Sequence, residues 1–140
     1  MQTRISKKYL NELTYKVIGC AIEVHKCLGP GLLESVYEKC FIKELDLQGL
    51  KYRNQIIIPI DYKGLKVDTE LRLDVLVEDI LCVELKAQEG FVPVHDSIIL
   101  SYMLLLEQPK GVLINFHCLN IMNGGQKTFV NHYFSFLPDD

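Results

Sequence analysis

Two short apolar runs near the middle of the chain carry charged residues where a buried strand usually has none. Asp74 interrupts the run LRLDVLV, and Glu84 and Lys86 interrupt the run LCVELKA that follows it. Because successive side chains of a strand point to opposite faces, Glu84 and Lys86 share one face, whereas Val83 and Leu85 line the other. The second run therefore predicts a strand with one face for chemistry and one for packing.

The turn between the two runs decides whether the acidic residues meet. A three-residue loop from Glu78 to Ile80 brings Asp74 opposite Glu84, within cross-strand reach. A two-residue turn pairs Asp74 with Val83 instead and separates the two carboxylates on different faces. The sequence leaves both registers open.

Two carboxylates that face each other favour a cation between them, because each otherwise raises the pKa of the other. Oxygen ligands with room for water suit Mg²⁺ or Mn²⁺ better than zinc. Lys86 is then placed to polarise an attacking water or to stabilise charge on a phosphate. The alternative is a surface hairpin on which Asp74, Glu84 and Lys86 face solvent and an ion pair contributes little.

The composition predicts one folded domain spanning residues 1–140, since the chain is 49% hydrophobic and 24% charged. No apolar run reaches the roughly 18 residues of a membrane span, and the polar start does not resemble a signal segment. Five cysteines at no disulfide-scaffold spacing predict reduced thiols. We therefore expect a cytoplasmic protein that does not enter a membrane.

The net charge of −3 argues against unspecific adhesion to nucleic acid through the overall field. Seven basic residues can still form a local surface for phosphates, or they can be dispersed solvated charges. These residues are Arg4, Lys7, Lys8, Lys51, Arg53, Lys63 and Lys66.

The elements around the hairpin predict a mixed sheet flanked by helices. The predicted helices span residues 10–28, 33–49 and 94–106, and the predicted strands span residues 50–62, 71–77, 81–87 and 111–116, with an edge strand or hairpin arm over 127–136. The last helix is apolar almost all round, which is typical of a helix buried between layers. It connects two strands, which favours their parallel pairing.

Glu34 and His95 each have two interpretations. Glu34, in the first turn of the second predicted helix, complements the helix dipole. It joins the acidic site instead if the preceding Gly29-Pro30-Gly31 joint holds the helix over the sheet. His95 contacts a phosphate or the metal shell, or it is a helix-start histidine that bonds a carbonyl, and we favour the second interpretation.

Several sequence blocks resemble those of one known family. The heptapeptide GLLESVY at residues 31–37 matches the signature of the GxxExxY proteins, and YKG, RLDVLV, VELKA, PVHDSIILSYMLLL and GVLINF resemble that family's successive blocks in the same order. The resemblance covers about residues 10–130. The family is placed in the PD-(D/E)XK nuclease-like superfamily, so the resemblance implies a restriction-endonuclease-like α/β fold with an αβββαβ core.

The resemblance also implies an activity: hydrolysis of nucleic acid, with DNA as the expected partner and Mg²⁺ or Mn²⁺ as the cofactor. The implied catalytic residues are Lys86, Glu84, Asp74 and Glu34, of which the three acids are also the implied metal ligands, and His95 and Tyr37 are the expected substrate contacts.

One departure from the family pattern concerns Ile98, which stands where the family usually has a glutamine. An apolar side chain cannot orient Lys86, water or a phosphate. Either His95 or another group takes over that task, or activity is weakened. The alternative function is a catalytically inactive nuclease fold that binds nucleic acid or protein. A third hypothesis is a homo-oligomer formed through the aromatic tail at residues 129–137, and a homodimer is also compatible with a nuclease.

Overall fold

The computed structural model describes residues 4–140, which form four helices and seven strands. The helices are α1 (Lys7–Leu28), α2 (Glu34–Leu47), α3 (Pro93–Leu105) and α4 (His132–Ser135). The strands are β1 (Tyr52–Ile57), β2 (Ile60–Tyr62), β3 (Leu65–Val67), β4 (Arg72–Val77), β5 (Leu81–Lys86), β6 (Lys110–Asn115) and β7 (Gln126–Val130). Within the described residues, no helix is long and apolar enough to cross a membrane.

Five strands form one mixed sheet in the order β1-β4-β5-β6-β7. Strands β5 and β6 are parallel, and the other neighbours are antiparallel. Helix α3 makes the long connection that a parallel pair requires. The predicted α/β architecture, a mixed sheet flanked by helices, is therefore confirmed and is consistent with a restriction-endonuclease-like fold.

The extended run predicted over residues 50–62 is divided into β1 and β2, because the chain leaves the main sheet at Pro59, where a proline indicates an edge, a bulge or a strand end. Proline cannot donate a main-chain hydrogen bond, and Ile58 is fully buried instead of exposed at a strand edge. Strands β2 and β3 then form a hairpin apart from the main sheet. Its turn uses positive φ at Lys63 and Gly64, as a tight two-residue hairpin turn requires.

The two faces of the sheet carry two hydrophobic cores. Helices α1 and α2 cover the first core, and α3 packs on the second, smaller core. The prediction that α3 is buried between layers is wrong, because only one of its faces meets the sheet. On the other face Val94, Leu104 and Leu105 stay exposed by 54%, 48% and 39%.

The C-terminal segment confirms the predicted edge strand, but only to Val130, after which the chain turns into the short helix α4. The carbonyls of Pro138 and Asp139 accept hydrogen bonds from the first main-chain N–H groups of α1, at 2.8 and 3.0 Å. Phe134 and Leu137 pack against the first core. The tail therefore supports the chain's own fold, and an oligomer formed through it stays a prediction.

Candidate functional site

The β4–β5 hairpin has the register that brings the two acids together. Val77 pairs with Leu81, so the connection is the three-residue loop 78–80. The same register places Asp74 opposite Glu84. Of the two registers that the sequence left open, the structure has the one on which a shared site depends.

At Asp74 and Glu84, two main-chain N–H groups donate to carboxylates of the facing strand instead of to main-chain carbonyls. The N–H of Asp74 donates to Glu84 Oε1 at 2.9 Å, and the N–H of Leu85 donates to Asp74 Oδ2 at 2.8 Å. Each acid thus uses one carboxylate oxygen to fix its position and leaves the other outside these main-chain bonds. A hairpin whose acids simply face solvent is excluded, since Glu84 is only 5% exposed.

The two-residue alternation of a regular strand is interrupted in β4 at Asp74. Leu73 packs in the second core and Val75 in the first, although their spacing would place both on one face. The irregularity lies where the Asp74 N–H bonds a side chain instead of a strand partner. Asp74 consequently lies near both helical layers and raises the pKa of Glu34 on α2 and of Tyr102 on α3, in each case behind the larger effect of burial.

Strand β5 has the predicted division into two faces. Val83 and Leu85 are buried in the first core, and Lys86 shares the other face with Glu84. The ammonium nitrogen of Lys86 lies 3.9 Å from Glu84 Oε2, and its side chain is 22% exposed. A cation is therefore held beside the acids while part of its side chain remains accessible.

The pKa values of the two acids reflect this confinement. Burial is the main cause that raises the pKa of Glu84 to about 8, and the charge of Asp74 acts in the same direction. Burial also raises the pKa of Asp74, against the opposing effects of the Leu85 N–H and the Lys86 charge. A divalent ion between these acids would stabilise both charged forms, so the pair is suited to bind one.

Helix α2 brings two acids to the site, of which the sequence analysis identified one. Burial raises the pKa of Glu34, and the charge of Lys86 lowers it. Glu38, one turn later, accepts a hydrogen bond at 2.8 Å from Gln55 Nε2, which also lies 3.5 Å from Asp74 Oδ1. Residues four apart share a helix face, so the spacing from Glu34 could have indicated Glu38. Gln55 gave no such signal, because only the pairing of β1 with β4 places it beside Asp74.

Tyr37, a predicted substrate contact, lies in the core. Its side chain has no exposed surface, and its ring stacks on Phe116 with 4.4 Å between centroids. Its hydroxyl donates to the Gly29 carbonyl and accepts from the Leu32 N–H at 3.2 Å. These contacts fix the loop that precedes α2 and thereby the position of Glu34.

The start of α3 faces the site through His95. Burial is the main cause that lowers the pKa of His95, and the charge of Lys86 adds to it. Its Nδ1 atom is buried and finds no hydrogen-bond partner within residues 4–140, so this atom does not make the carbonyl bond of the interpretation that we favoured from the sequence. Ile98, one turn later, packs against the second core. The next turn carries Tyr102. Burial raises the pKa of its phenol, and the nearby charges of Glu84 and Asp74 raise it further.

The carboxylates of Asp74 and Glu84 are the oxygen donors that this site can offer to a metal ion. Across residues 4–140, no three or more His, Cys, Asp or Glu side chains are grouped closely enough to hold an ion, so Glu34 does not complete such a set. Mg²⁺ commonly binds proteins through one or two carboxylates and retains several waters. Asp74 and Glu84 fit that mode of binding.

Comparison with known proteins gives one match. No curated protein and no solved structure matches this chain significantly. A family model, that of the PD-(D/E)XK nuclease superfamily, matches residues 11–128. The matched stretch contains both acids of the hairpin, Lys86 and the acidic face of α2. The chain therefore belongs to the PD-(D/E)XK nuclease superfamily.

Proposed function

We propose that this protein is a metal-dependent nuclease that hydrolyses phosphodiester bonds of nucleic acid, with DNA as the substrate. The observation that carries the proposal is the close placement of Asp74, Glu84 and Lys86 where β4 and β5 lose their regular ladder. Membership in a nuclease superfamily supports nucleic acid as the substrate. The signature at residues 31–37 supports placing the chain among the GxxExxY proteins.

In this proposal Asp74 and Glu84 would hold Mg²⁺ or Mn²⁺. A bound ion supplies Lewis acidity to a phosphate oxygen and lowers the pKa of water. Lys86 orients the attacking water or stabilises the negative charge that develops on the phosphate. The water oxygen bonds to phosphorus as the ester P–O bond breaks; the water gives up one proton to solvent, and the leaving oxygen takes one proton from solvent, so the step consumes no net proton.

The surrounding residues have supporting tasks in this proposal. Glu34 and Glu38 accept hydrogen bonds from water molecules near the ion, and Gln55 fixes the orientation of Asp74. Tyr37 is a positioning residue, because it acts through the loop before α2. His95, at the start of α3, is the candidate for contact with a phosphate at the mouth of the site.

A second candidate function, an inactive nuclease fold that binds a partner, is favoured by Ile98. That side chain packs into the second core and offers no polar group to orient Lys86. Isothermal titration with Mn²⁺ separates the candidates. Binding that is lost on Asp74→Asn supports the nuclease, and the absence of binding supports the inactive module.

The catalytic proposal is tested by Lys86→Ala, with Lys16→Ala as a control that removes the same charge from an exposed position on α1. We expect Lys86→Ala to lower the rate of Mn²⁺-dependent cleavage of DNA by at least about 100-fold, because it removes stabilisation of transition-state charge. Lys16→Ala should cleave like the wild type, and thermal melts should show both variants folded. Cleavage that is independent of metal, or unchanged in Lys86→Ala, contradicts the proposal.

A further inference from the structure

A pocket open to solvent lies beside the proposed catalytic residues, and none of the steps above uses it. Its volume is about 620 Å³, within the range of about 300–1,000 Å³ that is typical of small-ligand sites. Its lining includes Leu33, which immediately precedes Glu34, and Ala87, which immediately follows Lys86. The pocket therefore lies at the end of β5 that carries Lys86 and at the start of α2, which carries Glu34.

One wall of the pocket is aliphatic and accessible. Leu32, Leu33 and Val36 line it and are 41%, 73% and 37% exposed. Their loop is fixed from behind by the Tyr37 hydroxyl, which bonds the Leu32 N–H and the Gly29 carbonyl. A buried tyrosine thus keeps an apolar surface exposed to solvent next to the acids.

The polar lining residues Gln88, Glu89 and His117 lie in segments that Asn115 holds in place from behind, and Asn115 itself is only 2% exposed. Its Oδ1 accepts from the N–H groups of Gln88 and His117 at 3.2 and 3.1 Å. Its Nδ2 donates to the carbonyls of Gln88 and Gly90 at 2.8 and 3.0 Å. Asn115 also pairs with Lys86 across β5 and β6. The same strand pair thus fixes the polar lining and the proposed catalytic lysine.

We propose that this pocket receives an unpaired nucleobase next to the scissile phosphate, so that the substrate is single-stranded or locally unpaired nucleic acid. The inference rests on the proposed nuclease function. A base has apolar faces and a polar edge, and the pocket has an aliphatic wall and polar lining residues. A base within a duplex cannot enter, because its faces are stacked and its edge is paired.

The charge of the pocket favours a base over the phosphate backbone. Glu89 lies in the lining, and its carboxylate repels a phosphate. The same carboxylate can accept a hydrogen bond from an N–H group on the edge of an unpaired base, such as N3–H of thymine. The exposed imidazole of His117 adds a planar group against which a base can stack.

The decisive variant is Leu33→Ser, with Leu47→Ser as its control. Leu33 is the N-cap residue of α2 and makes no side-chain capping bond, and serine is a preferred N-cap, so the variant keeps the helix start. Leu47, the last residue of α2, is 62% exposed and lies outside this pocket. Both changes remove one exposed leucine from the same helix without changing the charge.

Binding is measured by fluorescence anisotropy with Mn²⁺, in a Lys86→Ala background, with three labelled probes. These are a short oligothymidylate, a strand of equal length that lacks its bases, and a blunt duplex. We expect Leu33→Ser to weaken binding of the oligothymidylate by about five- to tenfold, as the loss of one base contact does. Its binding of the other two probes should change by less than about twofold, and Leu47→Ser should behave like its parent with all three.

Equal weakening for the strand without bases, or no weakening at all, overturns the inference. If wild-type protein cleaves nucleic acid while Leu33→Ser has no selective effect on binding, the base pocket fails and the nuclease proposal stands. If wild-type protein neither binds nor cleaves any of the three probes, both fail.

Discussion

Two buried charges lie at opposite ends of the strand pair β5–β6. Glu84 is 5% exposed and lies towards the C-terminal end of β5, whereas Lys110 is 8% exposed and begins β6. The Lys110 ammonium donates to Asn11 Oδ1 at 2.8 Å and lies 5.7 Å from the centre of the Phe134 ring. Glu84 instead shares its surroundings with a second acid, Asp74.

The difference shows that burial of a charge does not by itself indicate a functional site. Burial lowers the pKa of Lys110, but a neutral amide and an aromatic face accommodate its charge. The pKa of Glu84 is raised both by burial and by Asp74, whose main-chain N–H also holds Glu84 in place. Like charges that are held together by the fold mark a site that a ligand can stabilise.

The largest expected effect is a loss of cleavage activity on changing Glu84, with no such loss on changing Lys110. Glu84→Gln keeps an oxygen for the Asp74 N–H but removes the negative charge proposed to bind the metal. We expect the rate of Mn²⁺-dependent cleavage to fall by more than about 100-fold. In the absence of metal, the free energy of unfolding at pH 8 should rise by about 1–2 kcal/mol, because a buried charge is removed. Lys110→Met should cleave like the wild type. Initial rates and urea unfolding measure the two quantities, and a cleavage loss of equal size in Lys110→Met would erase the distinction.

Glu84 and Lys110 should also make the free energy of unfolding change with pH in opposite directions. The pKa of Glu84 is raised from its ordinary 4.5 to about 8, so the native state binds more protons than the unfolded chain between these values. Its contribution to stability is therefore full below about pH 4.5 and is lost as pH rises to about 8. Urea unfolding across this range, in the absence of metal, should show a smaller decline in Glu84→Gln than in the wild type. Parallel curves would contradict the assignment.

For Lys110 the sign is opposite. Burial lowers the pKa of Lys110 below its ordinary 10.5, so the unfolded chain binds more protons in that window and stability rises with pH there.

A smaller loss of stability should follow from removing Asn11, the neutral hydrogen-bond partner of Lys110. Asn11→Ala leaves the buried ammonium without its amide acceptor, and we expect the free energy of unfolding to fall by about 1–3 kcal/mol. Combining Asn11→Ala with Lys110→Met should recover most of the loss, because no buried charge then needs a partner. Urea unfolding of the two single variants and the double variant measures the coupling. Additive losses would show that the pair has no special role.

Sequence reasoning identified much of the site, and its errors have physical causes. The faces of β5 followed from the two-residue period of a strand, which is fixed by local backbone geometry. The irregularity of β4 at Asp74 could not follow from that period, because it depends on hydrogen bonds to the side chain of another strand. The burial of Tyr37 and the exposed face of α3 likewise depend on which elements cover them.

The sequence by itself determined that Glu84 and Lys86 share a face, that Glu34 lies in the first turn of a helix, and that the sheet is mixed. The first two follow from periodicity and turn chemistry over a few residues, and the third follows from the order of the elements along the chain. The tertiary structure alone decided the register that sets Asp74 opposite Glu84 and the approach of Gln55 to Asp74. It also decided the burial that raises the pKa values of the acids. These features depend on packing between segments distant in sequence, which no local pattern specifies.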